Sequence, residues 1–86
     1  MKLNVTALAL AAALIWGAGL LVVASINLGS PGYGRAFLDA VASVYPGYRP
    51  GTGVGSVVTA TLYGLVDAGV GGAVFAWLYN LLARAR

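Results

Sequence analysis

An 86-residue chain that is 60% hydrophobic and only 8% charged, with a mean hydropathy of +0.90, lacks the surface of an ordinary soluble domain, where about a quarter of residues are charged. Such a chain belongs in a membrane, and its length allows one domain at most. Cysteine and histidine are both absent, which excludes disulfides, thiolate chemistry, imidazole acid–base catalysis and the usual zinc ligands. The net charge of +3 comes from scattered residues, Lys2, Arg35, Arg49, Arg84 and Arg86 against Asp39 and Asp67. That scatter marks juxtamembrane positions and not a nucleic-acid footprint.

Leu3 to Leu28 is the first apolar run. Its densest part, Ala7 to Ile26, is long enough to cross the roughly 30 Å hydrocarbon core at about 1.5 Å per residue, so span one is expected over residues 5–28. A signal-peptide core is usually only about 7–15 residues, so the longer run reads as a retained span. The stretch Asn27-Leu28-Gly29-Ser30-Pro31-Gly32 stops the helix and opens a connection over residues 29–53. Within it Phe37, Leu38, Val41, Val44 and Tyr45 recur at helical spacing opposite Arg35, Asp39 and Ser43, which predicts a short amphipathic helix. Two settings suit that stripe equally, flat in the headgroup region or packed on the protein's own spans. Pro46 to Gly53 then breaks the helix, and Tyr33, Tyr45 and Tyr48 suit a water–lipid boundary. Span two is expected over residues 56–82, with Ser56 as its cap and Trp77 and Tyr79 as interfacial aromatics before Arg84 and Arg86. The expected fold is therefore all-α, a two-transmembrane helical hairpin with a short interfacial amphipathic helix in the connecting loop. Lys2, Arg84 and Arg86 share one side, Arg35 and Arg49 the other, so the positive-inside rule places both termini in the cytoplasm.

Asp67 is the one formal charge inside either expected span. An aspartate at a helix centre costs about 2.5–3.5 kcal/mol to insert, so it must be protonated, paired with a polar group, or turned toward water or protein. Tyr63, four residues earlier on the same helical face, is the nearest polar side chain. One reading is an interhelical hydrogen bond that fixes register or oligomeric state; another is an ion or proton site. Small residues give a second signal. Ala60, Gly64, Ala68, Gly72 and Ala76 recur every fourth position of span two, and Ala9, Ala13 and Gly17 do so in span one. Such stripes let helix backbones approach closely, and the partner of the long stripe is either span one or another copy of the chain.

The segments Lys2-Leu3-Asn4-Val5-Thr6-Ala7-Leu8-Ala9-Leu10, Gly34-Arg35-Ala36-Phe37-Leu38-Asp39 and Val44-Tyr45-Pro46-Gly47-Tyr48, with the glycine-rich helix from Tyr63 to Asn80 around Asp67, resemble a family of short two-span bacterial membrane proteins commonly labelled bacteriophage holin. The resemblance covers nearly the whole chain and implies an oligomer that opens a lesion in the bacterial inner membrane. The chain departs from the usual holin pattern in having only Arg84 and Arg86 as a charged tail. It is also topologically similar to the rotor-ring subunit of ATP synthases, a hairpin with a mid-span carboxylate, although the connection here is long and carries its own apolar helix. No nucleophile–base pair, metal cluster or phosphate loop is legible, so neither an enzyme nor a cofactor is expected. Three functions remain: a holin-like oligomer, an accessory subunit stabilising a larger membrane complex, and ion or proton translocation through Asp67. The expected partners are the lipid bilayer and either further copies of the chain or a larger membrane complex, without nucleic acid.

Overall fold

The computed structural model describes residues 2–84, so Arg86, counted above in the charge balance, lies outside the described residues. Three helices follow in order: α1 (Val5–Gly29), α2 (Arg35–Val44) and α3 (Val54–Arg84). α1 and α3 are both long and apolar enough to cross a membrane. Among the described residues there is no strand, and the protein is an all-α two-span hairpin.

Asn4 caps α1 by accepting the Ala7 amide at 2.9 Å, which satisfies one of the amides a helix start leaves free. At the other end the buried Asn27 donates to the carbonyls of Pro31 (3.0 Å) and Tyr33 (2.9 Å), tying the turn into α2 to the last turns of α1. α3 begins two residues before the expected boundary. Gly53, at φ +117°, turns the chain into the helix at Val54, and Ser56 lies inside the first turn, its hydroxyl donating to the Gly53 carbonyl at 2.6 Å.

α1 and α3 run antiparallel along a seam of small residues. Ala60 and Ala76 are fully covered, and Gly64 and Gly72 are buried. A Cβ built on Gly72 would lie 2.9 Å from the Ala12 Cβ, 3.0 Å from the Leu8 carbonyl and 3.1 Å from the Ala9 Cα. Only glycine allows so close a backbone approach, and van der Waals contact of this kind holds helices together where lipid is already apolar. Gly64 faces the Leu20 and Trp16 side chains, and beside the stripe Gly69 faces Ala13 and Ala9 while Gly17 meets Leu65, so the long stripe packs on span one. The sequence left the partner of the long stripe open between span one and a second copy. In the structure it is span one. The opposite faces stay apolar and exposed, as at Leu14 (65%), Ile15 (75%) and Val66 (67%), which suits lipid or another membrane protein.

α2 lies against the connecting end of this hairpin. Leu38 is fully buried, and Val41, Tyr45 and Tyr48 nearly so, in one cluster with Leu20, Ala24, Val57 and Ala60. Of the two settings open to its apolar stripe, packing on the protein's own spans is the one observed. Leu38, Val41 and Tyr45, expected at the interface, are thus covered by protein, whereas Phe37, Trp77 and Tyr79 remain exposed. Gly34 lets α2 start close to α1: it has φ +63°, and a Cβ there would lie 2.7 Å from the Val23 Cγ1.

Candidate functional site

The docking of α2 brings its last residue boundary to the middle of the hairpin. Tyr45, which ends α2 with its amide bonded to the Val41 carbonyl at 2.9 Å, points its phenol between Trp16 near the middle of α1 and Asp67 near the middle of α3. The Trp16 Nε1–H donates to the Tyr45 oxygen at 2.8 Å, and the Tyr45 hydroxyl donates to Asp67 Oδ2 at 2.8 Å. One hydroxyl thus accepts once and donates once, and the chain of bonds has a fixed direction ending on the carboxylate. Three segments far apart in sequence meet in this chain.

Aromatic rings frame it. Phe37 of α2 meets the Trp16 ring edge-on, with centroids 5.8 Å apart and planes at 82°. Tyr63 stacks on Tyr45 at 5.1 Å and 11°. These offset and edge contacts restrict the rings that carry the polar atoms. Burial pushes the Tyr45 phenol above its ordinary value of 10.0; the Trp16 bond opposes this and Asp67 adds to it. Tyr45 is therefore a neutral donor at physiological pH.

Tyr63 is not the partner of Asp67 that its spacing pointed to. Its hydroxyl donates to the Pro46 carbonyl at 2.6 Å. Helical side chains tilt toward the helix N-terminus, so the Tyr63 ring leans away from Asp67 and toward the end of α2, where it holds Tyr45 in place. The donor for Asp67 comes from the connection, from a tyrosine whose sequence setting pointed to the water–lipid boundary. A signal was available: an intramembrane carboxyl requires a donor, and Tyr45 carries the one polar tip at the end of the apolar stripe of α2.

Asp67 remains exposed in the single chain. It borders two recesses that also share Trp16. One, of about 220 Å³, is bounded by α2 through Phe37, Val41 and Tyr45. The other, of about 470 Å³, is floored by Ala12, Ile15, Ala68 and Gly71. Among the described residues no group of three or more metal-ligating side chains comes together.

Asparagine supplies a feature at the other end that the sequence analysis did not single out. The Asn80 side chain accepts the Leu3 amide at 2.7 Å and donates to the Leu3 carbonyl at 2.8 Å. This reciprocal pair joins the start of the chain to the last turns of α3. No protein-family model, curated protein or solved structure matches the chain.

Proposed function

We propose that this protein is a small, non-enzymatic, holin-like membrane protein whose copies assemble with their Asp67 sides together and open a pathway through the bilayer. The observation that carries this reading is the setting of Asp67. One oxygen is held by Tyr45, yet the residue is exposed between Val66 and Val70, themselves 67% and 60% exposed. A carboxyl facing hydrocarbon near the middle of a span costs a few kcal/mol, and burying that side in an assembly removes the cost. The recess beside it is floored by Ala12, Ala68 and Gly71, small residues against which another helix can pack. Because Ala60, Gly64, Gly72 and Ala76 of the stripe are buried within the chain, assembly uses the neighbouring face, which Ala68 borders.

The test combines particle mass in mild detergent with dye release from liposomes containing the purified chain. The expected result is a discrete multiple of 8.7 kDa, with leakage that falls when Asp67→Leu removes the carboxyl. Oligomers without leakage would remove the pore. A second reading, an accessory subunit of a larger membrane complex, is favoured by the burial of the long small-residue stripe within the chain, which takes away its most evident self-association surface. Recovery from native membranes in a large particle of constant composition would establish that reading and displace the first.

A further inference from the structure

The open end of the hairpin carries a second polar site that the reading above does not use. Lys2 and Arg84 line one recess of about 190 Å³ together with Trp77, Asn80 and Leu81. Both carboxylates of the described chain lie elsewhere, Asp67 near the middle of α3 and Asp39 on α2 at the connecting end. Two cations therefore face one small concavity without an acidic side chain of their own. Arg84 also stands in the last turn of α3, where its charge suits the helix dipole, but the dipole has no bearing on why Lys2 is brought beside it.

Asn80 provides the cause. Its two bonds to Leu3 fix the backbone next to Lys2 across the whole length of the sequence, so the lysine is held over the end of α3. The recess is also amphiphilic. Its lower wall is Trp77 and Leu81, exposed by 60% and 42%, at the end of a helix long and apolar enough to cross a membrane. Cations above an indole and a leucine at a bilayer boundary match a lipid whose phosphate lies at the level of the charges and whose chains run down the apolar wall. An arginine fork suits phosphate oxygens, and a lysine adds a point charge.

We infer that Lys2, Arg84 and Asn80 form a headgroup site for an anionic phospholipid of the surrounding leaflet. A zwitterionic headgroup would bring its own cation to the same two charges, so anionic lipid is preferred. The site is independent of any pore and requires only that the hairpin be in a membrane.

Native mass spectrometry of the full chain, released from detergent holding equal amounts of phosphatidylglycerol and phosphatidylcholine, tests it. The unaltered chain is expected to retain phosphatidylglycerol in preference by on the order of tenfold, given two charges near one headgroup. Lys2→Gln with Arg84→Gln should abolish the preference, while Arg35→Gln with Arg49→Gln, the same loss of charge at the opposite end, should keep it. Equal loss in both pairs, or no loss in the first, would overturn the site. Asn80→Ala keeps both charges and should weaken the preference by releasing Leu3; an unchanged preference would overturn the positioning role of Asn80. Displacement of the lipid by inorganic phosphate, but not by chloride at matched ionic strength, would assign the recess to a soluble anion and overturn the lipid assignment.

Discussion

The seam between α1 and α3 and the flank covered by α2 are built on different physical grounds. Along the seam the contacts are short and apolar, glycine and alanine against backbone, with Gly72 set on Leu8, Ala9 and Ala12. On the flank they are made by long side chains that reach out from their backbones: Trp16, Phe37, Tyr45 and Tyr63 in ring contacts and one directed chain of hydrogen bonds. A seam of this kind is sensitive to volume and indifferent to polarity. The flank should tolerate changes of volume at its exposed edges and loosen when a single polar atom is removed.

The largest expected effect comes from breaking the seam. Gly72→Leu puts a side chain where even a Cβ would meet backbone atoms that cannot yield, and overpacking of this sort typically costs about 1–3 kcal/mol, occasionally more. Unfolding in mixed detergent micelles, followed by circular dichroism, should show the loss. Gly71→Leu is its control. That position has nothing within 4 Å and belongs to the recess beside Asp67, so the hairpin should keep its stability while assembly weakens. Equal destabilisation by the two substitutions would mean that the seam does not discriminate between adjacent glycines.

A smaller effect is expected from removing one oxygen on the flank. Tyr45→Phe keeps the ring stacked on Tyr63 but leaves the Trp16 N–H and Asp67 Oδ2 without their partner, and polar bonds in membranes are worth about 0.6–2 kcal/mol. Because the loss falls on the docking of α2, it should appear locally. A cysteine placed at the fully buried Leu38 should label faster with a water-soluble reagent when Tyr45 is changed, whereas one at the exposed Asp39 should label equally in both backgrounds. Unchanged labelling at Leu38 would show that the apolar cluster alone holds α2.

The same contrast separates what could be read from the sequence from what could not. Both spans and the seam residues were legible because each rests on a local regularity, apolar length in one case and small residues at a four-residue interval in the other. The choice of partner for the stripe was not legible, since the stripes of span one and of a second copy are chemically alike. On the flank the amphipathic pattern disclosed α2 but not its resting place, which depends on Gly34 fitting beside Val23 and on Asn27 folding the turn. Asp67 stood out as needing a donor, yet helix spacing pointed to Tyr63 on the same helix. The donor, Tyr45, is brought there by tertiary folding of the connection, which no periodicity within α3 encodes. Asn80 escaped notice for a similar reason, its partner being backbone at the far end of the chain.

The smallest effect, and the one that sharpens the comparison most, is a response to pH. The seam residues Ala9, Ala13, Gly17, Gly64 and Gly72 carry no ionisable group, so their packing should not change with pH. Tyr45 is different: burial first, and Asp67 in addition, raise it above 10.0, and Tyr48 is raised by burial and by Asp39. A group raised on folding binds its proton more tightly in the folded state. Its contribution is therefore intact below pH 10 and is lost as the pH climbs from there through the elevated value. Docking of α2, followed by labelling at Leu38, should thus be constant through neutrality and loosen only in strong alkali, with the hairpin still helical. Tyr45→Phe should remove much of that loosening and Tyr48→Phe less of it, because only Tyr45 turns from donor to anion directly against a carboxylate. Loosening of equal size in both variants would show that the alkaline response belongs to burial alone and not to the bond with Asp67.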